Sequence, residues 1–174
     1  QRLKWQGRQI DLTPPWPRLT VAEAFAQHGS IPLSEITDLD FFSELMVTEI
    51  EPALPQNQPV FLIDYPLAHG SLARRKAQDP TVAERFELYL GGLELANGFS
   101  ELTDAQEQPQ RFTTEEALRR RAGKPPCPTP ETFLNELETL EDAAGIALGV
   151  DRLVMLLCDR ARIDEVVCFT PEQL

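Results

Sequence analysis

The sequence predicts an α+β domain built on an antiparallel sheet flanked by helices. Three observations carry this prediction. ERFELYL and LELAN lie on either side of Gly91-Gly92, the pattern of a hairpin closed by a two-residue turn. PVFLIDYP, a short apolar run bounded by prolines, reads as a buried strand. Ahead of it, Leu39, Phe42, Leu45, Met46 and Ile50 recur at helical spacing, the pattern of a helix that covers a sheet.

The elements follow in order. Residues 1–19 are expected to be an irregular lead-in, because Pro14-Pro15-Trp16-Pro17 breaks any regular element, and residues 20–174 to form the domain proper. Thr20 with Glu23 three residues later is a capping box for a short helix that ends at His28, before a glycine. The helix spanning Asp38 to Ile50 stops at Pro52 and Pro55. After the hairpin, Thr103 to Arg121 reads as a polar helix ending at Ala122-Gly123, and KPPCPTP leads into a helix from Glu131 to Glu141. GIALGVDRLVMLL then passes from strand to helix near Asp151, a residue suited to an N-cap or first turn. There are no internal repeats.

The hairpin carries acids where a packed sheet would avoid them. Glu87, Glu94 and Glu101 recur every seven residues. In a two-residue-turn register Tyr89 faces Glu94 and Glu87 faces Ala96, which puts Glu87, Tyr89 and Glu94 on one face. Two like charges that close repel unless a cation sits between them, and Mg²⁺ is commonly held by one or two carboxylates plus nucleotide phosphates. A solvated acidic face is the alternative. Asn97, Phe99 and Glu101 alternate with the opposite parity. They join the same face only if a bulge near Ala96–Gly98, where Gly98 would ease it, resets the alternation.

Arg152 sits at the junction of GIALGV and DRLVMLL, where the glycines, Gly149 among them, let a ligand approach the backbone. A guanidinium there suits a forked, charge-assisted grip on phosphate, on the order of 1.5–3 kcal/mol. An ion pair with Asp151 or Asp159 is the alternative. No Walker A loop and no dinucleotide fingerprint is present.

Taken together, the two stretches resemble the catalytic domain of class II aminoacyl-tRNA synthetases of the lysyl type, over roughly Phe61 to Pro171. ERFELYLGGLELANGFSELTDAQEQPQRF resembles the family's lysine- and metal-binding hairpin. GIALGVDRLVMLL resembles its motif 3, and VVCFTP the short strand that follows. The resemblance implies ATP as the nucleotide, with Glu87 and Glu94 holding its Mg²⁺, Arg152 contacting the γ-phosphate as the catalytic residue, and Gly149 lining the nucleotide site. Asn97 and Phe99 would line the amino-acid site, and Glu101 would receive the ε-ammonium of lysine.

Ala147 stands where lysyl-tRNA synthetases usually carry glycine, and Ser71-Leu72-Ala73 lacks the proline of their Ser-Pro-Leu-Ala run. Both departures resemble the synthetase paralogues that attach β-lysine to elongation factor P. One methyl on Ala147 would narrow the pocket, an effect worth about 1–3 kcal/mol of discrimination; neutral packing is the alternative. Lysine or β-lysine is thus the expected substrate, with elongation factor P as acceptor and tRNA as the alternative. Motifs 1 and 2 of the family, which build the homodimer interface and bind the α-phosphate, have no copy here. The expectation is a C-terminal part of a catalytic domain, from a homodimeric parent, that does not catalyse alone; a non-catalytic remnant that binds ATP or lysine without motifs 1 and 2 is the alternative.

The formal charge of −12 opposes a nucleic-acid-binding surface, which is typically basic. The basic clusters Arg74-Arg75-Lys76 and Arg119-Arg120-Arg121 with Lys124 read as solvated helix faces. No apolar run approaches the roughly 18 residues that span a membrane, and no signal peptide opens the chain. A cytoplasmic enzyme is expected. The three cysteines lack metal-ligand spacing, and Cys158 and Cys168, in apolar runs, are expected to be buried thiols.

Overall fold

In the computed structural model, which describes residues 1–170 and Gln173, the expected irregular lead-in opens with a hairpin. Strands β1 (Arg2–Trp5) and β2 (Arg8–Asp11) pair antiparallel across Gln6 and Gly7, both at positive φ. Two positive-φ residues match the twist of the flanking strands, which is why so short a ribbon closes. Ile10 from this hairpin is fully buried against Leu90, Leu95 and Leu156. Only the proline-rich residues 12–17 are irregular, and β3 (Arg18–Thr20) follows.

Thr20 caps helix α1 (Val21–His28) through the expected box. Its Oγ1 accepts from the Glu23 N–H at 3.1 Å, and its own N–H donates to Glu23 Oε2 at 2.8 Å. Helix α2 (Leu39–Leu45), capped by Asp38, widens into a π-helical stretch over Met46–Ile50 and tightens again into α3 (Glu51–Ala53). Phe42, Leu45, Met46 and Ile50 are buried as the spacing predicts, whereas Leu39 is left at the surface.

Five strands complete the sheet: β4 (Val60–Pro66), β5 (Arg75–Lys76), β6 (Asp79–Leu90), β7 (Leu93–Ser100) and β8 (Ala144–Leu148). The order is β3-β4-β6-β7-β8, with β5 against β6; β3 and β4 are parallel and every other pair is antiparallel. Between β7 and β8 run helices α4 (Glu107–Arg121) and α5 (Glu131–Glu136), the second continued by a 3₁₀ turn at Leu137–Thr139. Helix α4 starts later than Thr103 because Asp104 captures the N–H groups of Gln106 and Glu107 at 2.7 and 2.9 Å. Helix α6 (Val150–Leu157) follows β8 directly, with Asp151 in its first turn.

Helices α1 and α2–α3 cover one face of β4 and β6, with Val21, Phe25, Phe42, Ile50 and Leu62 at the centre of the packing. The β1–β2 hairpin and α6 close over Leu90 and Leu95 in a second, smaller core. By contrast β8 is exposed along its whole length, with Ile146 64% exposed.

Two expectations fail at this end of the chain. VVCFTP is not a strand through Thr170: Val166 and Val167 both donate to the Ile163 carbonyl, so local turn bonds replace a ladder, and Pro171 lies outside the described residues. Cys158 and Cys168 are exposed rather than buried, as is Cys127. Of the basic clusters, Arg119-Arg120-Arg121 does end a helix, α4, where Arg120 pairs with Glu116, but Arg74-Arg75-Lys76 lies at strand β5 rather than on a helix, and its half-buried Arg74 and Lys76 pair with Glu84 and Asp142 and with Asp64.

Candidate active site

Two bulges bring the candidate residues together. The pairing of β6 with β7 slips between Leu88 and Tyr89 of β6. Tyr89 faces Glu94 as expected, but Leu88 faces Ala96, and Glu87 faces Asn97 rather than Ala96. The extra residue is Leu95, just ahead of the expected Ala96–Gly98 window, and both Leu95 and Ala96 are buried. Beyond the bulge, Asn97 and Phe99 share the face of Glu87 and Tyr89, as the site required. Gly98 serves a different purpose, because a Cβ there would lie 2.7 Å from the Phe86 ring. The second bulge lies where Asp64 of β4, a residue at positive φ, stands against two residues of β6, Glu84 and Arg85, and beyond it the Tyr65 hydroxyl reaches Glu87.

Glu87 is only 8% exposed, and both of its carboxylate oxygens are engaged. Oε2 accepts from the hydroxyls of Tyr65 at 2.6 Å and Tyr89 at 2.7 Å. Oε1 accepts from Arg85 Nη2 at 2.6 Å and from Asn97 Nδ2 at 3.4 Å. Burial and the neighbouring negative charge push both tyrosines well above the ordinary phenol range, so both remain donors. Glu51, at the start of α3, faces the same cluster. Burial raises its carboxyl above the usual range, and Glu87 and Glu94 reinforce that, against Tyr89 and Arg152.

Glu94 stands in the open. Arg152 Nη1 donates to its Oε2 at 2.9 Å and to its backbone carbonyl at 2.7 Å, while among the described residues Oε1 has no protein partner. Arg152 therefore pairs with an acid, but with neither Asp151 nor Asp159; the latter accepts the Gln6 N–H instead. Gly149 caps α6, donates its N–H to the Leu95 carbonyl at 2.9 Å, and leaves room for the stem of Arg152 to lie across it. Ala147 lies opposite Asn97, and Gly145 opposite Phe99. An open cleft of about 350 Å³ is lined by Glu94, Asn97, Ala147, Gly149 and Arg152.

Glu101 lies at the far end of this face. Its Oε1 would be 2.6 Å from a Cβ at position 145, so only glycine lets the carboxylate rest there. Among the described residues no cation pairs with Glu101. The face thus offers a free carboxylate at one end and a carboxylate–guanidinium pair at the other, with Asn97 between them.

The donors suit a hard divalent cation bound largely through its ligand. Glu94 offers an open oxygen, while Glu87 and Glu51 add charge. Among the described residues no three acidic, His or Cys side chains close around one point. A larger hollow, about 630 Å³ between α4 and the Leu67–His69 turn, contains none of these residues.

Arg85, Tyr65 and Glu51 were not anticipated. Arg85 was legible, since it alternates with Glu87 and Tyr89 and puts a cation in the acidic stripe. Tyr65 was hidden by the bulge at Asp64, and nothing in the helical spacing singles out Glu51.

The sequence profile described as tRNA synthetases class II (D, K and N) matches residues 1–173. A lysine–tRNA ligase of Moorella thermoacetica is 36% identical over 95% of this chain, and one of Chloroflexus aurantiacus 35% over 96%. An elongation factor P–(R)-β-lysine ligase of Edwardsiella ictaluri is 46% identical over 71% of the chain. The chain spans about 38% of the length of each of these relatives. By fold, by the hairpin and its companion strand–helix turn, and by this match along almost its whole length, the chain belongs to the class II tRNA synthetase family.

Proposed function

We propose that this chain is the C-terminal part of the catalytic domain of an ATP-dependent aminoacyl ligase that adenylates lysine or β-lysine and transfers it to elongation factor P. The observation that carries the reading is the unpaired carboxylate of Glu101, seated over Gly145 on the face shared with Asn97 and Ala147. A carboxylate opposite an ammonium is a direct way to select a cationic amino acid over neutral ones.

In this reading Glu101 takes the substrate's distal ammonium, Asn97 and Phe99 hold its body, and Ala147 bounds the pocket across from Asn97. Arg152 exchanges its contact with Glu94 for the γ-phosphate of ATP, with Gly149 keeping the backbone approachable. A divalent cation held by Glu94, with Glu87 beside it, would screen phosphate charge and leave the α-phosphate open to the substrate carboxylate. The residues that complete the reaction, and the contacts of a homodimer, belong to the parent protein. The chain of this reading works in the cytoplasm; no described helix is long and apolar enough to cross a membrane.

Transfer to tRNA is the second reading, favoured by lysine–tRNA ligases that match 95–97% of this chain. The higher identity to the elongation factor P ligases over a shorter stretch, together with Ala147, supports the protein acceptor.

Glu101→Gln tests the reading by equilibrium binding. Affinity for L-lysine and (R)-β-lysine should fall on the order of a hundredfold while Mg·ATP affinity is unchanged, as expected for losing a charge-assisted hydrogen bond. Equal loss of both ligands would contradict the assignment of Glu101.

A further inference from the structure

We infer that Arg85 is a positioning residue that fixes which way the amide of Asn97 faces, and so sets the polarity of the amino-acid end of the site. The inference rests on the reading of the cleft as an amino-acid site. It arises from a guanidinium that meets three acceptors at once. Nη2 donates to Glu87 Oε1 at 2.6 Å, Nη1 to the His69 carbonyl at 2.6 Å, and Nε to Asn97 Oδ1 at 3.4 Å. Its central carbon also lies 4.3 Å from the centroid of the Tyr65 ring, whose hydroxyl binds the other oxygen of Glu87.

The consequence falls on Asn97. Its Oδ1 accepts from Arg85, and its Nδ2 donates to Glu87 Oε1 at 3.4 Å. Both contacts are long, but the reversed amide would turn both into repulsions: NH₂ against a guanidinium N–H, and a carbonyl oxygen against a carboxylate. Arg85 and Glu87 together therefore hold the amide one way round. The second Nδ2 hydrogen is left for the cleft, where Asn97 lines the wall opposite Ala147. A fixed donor there suits the carboxylate or carbonyl oxygen of an amino acid, just as Glu101 at the other end suits an ammonium. Arg85 thus adds specificity for the acidic end of the ligand without touching it. Lysine cannot replace it, because an ammonium is a single point charge and lacks the planar fork that reaches three acceptors.

The test compares wild type with Arg85→Lys and Arg85→Gln, first by the side-chain ¹⁵N–¹H resonances of Asn97 without ligand. In the wild type the two Nδ2 protons should be well separated and slow to exchange. In a folded Arg85 variant, judged by unchanged β1–β2 resonances, they should collapse toward the free-amide position. An unchanged Asn97 pair in a folded variant would overturn the inference. So would loss of the fold in both variants, since Arg85 would then be a structural residue. A double-mutant cycle on L-lysine affinity is the second readout. Arg85→Lys and Asn97→Ala should each weaken binding about tenfold, the loss of roughly one hydrogen bond, and the double variant no further. Independent, multiplying losses would overturn the inference. If the wild-type chain takes up no lysine, the amino-acid reading of the cleft fails, while the Asn97 resonances still decide the role of Arg85.

Discussion

The two ends of the sheet are built on opposite principles. At β4 and β6, helices α1 and α2–α3 seal one face, and Leu62 is 0% exposed. At β8 and α6 no layer follows among the described residues, and Ile146 and Leu157 are 64% and 65% exposed. The candidate site straddles the boundary. Glu87, on the sealed side, has every oxygen satisfied, whereas Glu94 and Glu101, on the open side, keep carboxylate oxygens without a protein partner among the described residues. The difference teaches that similar side chains on one hairpin hold different offices. The acid of the closed end is fully hydrogen-bonded, and the acids of the open end are not.

Stability measurements can break this comparison. The largest contrast should come from Leu62→Ala against Ile146→Ala. Removing a fully buried leucine costs about 2–5 kcal/mol, and truncating an exposed isoleucine stays within about 0.5 kcal/mol. Urea midpoints at constant m-value would report both, and equal losses would mean that the open end is packed in solution. The next contrast is between two acids. Glu87→Gln strips the partly buried Arg85 of its counter-charge and should cost about 3 kcal/mol, while Glu94→Gln, from a half-exposed pair, should cost about 0.2–1 kcal/mol. Thermal unfolding of the two variants side by side would show whether Glu87 is the structural acid.

Smaller effects sharpen the closed end. Thr20→Ala removes the capping box of α1 and should cost about 1 kcal/mol, visible as a lower urea midpoint. His69 stacks on Phe42 with ring centroids 3.7 Å apart, and burial together with Arg85 holds its imidazole below the ordinary value. A depressed histidine gives a stability that is full above about pH 6.5 and falls as the pH drops toward the folded-state value, because the unfolded chain takes up the proton first. His69→Gln should flatten the stability profile between pH 7 and pH 5.5, taken as guide values around that titration. An unchanged slope would assign the dependence to other groups.

Much of this was legible in the chain. The Gly91-Gly92 turn, the Thr20–Glu23 box and the spacing of Phe42, Leu45, Met46 and Ile50 each have a local cause, and each stands where the sequence places it. Parity showed that Glu94 and Asn97 could share a face only across a bulge in β7, which the β6–β7 pairing contains. Its position did not follow, since Leu95 is the extra residue for a reason of packing against Ile10 and Leu156, which are distant in sequence. The same distance hid the β1–β2 hairpin, whose apolar side is worth forming only because α6 receives it. It also hid Tyr65, which reaches Glu87 only through a bulge at an aspartate with positive φ. Glu51 enters from a helix whose acids look like any solvated set.

Titration of the ¹⁵N-labelled chain with L-lysine, and in parallel with norleucine, which keeps the alkyl chain but lacks the ammonium, tests the central claim most directly. The account predicts that lysine perturbs Asn97, Phe99, Glu101, Gly145 and Ala147, leaves α1 and the β1–β2 hairpin unmoved, and is favoured over norleucine by at least about tenfold, the worth of roughly one charge-assisted hydrogen bond. Equal responses to both ligands, or perturbations gathered in the hollow beneath α4, would contradict it.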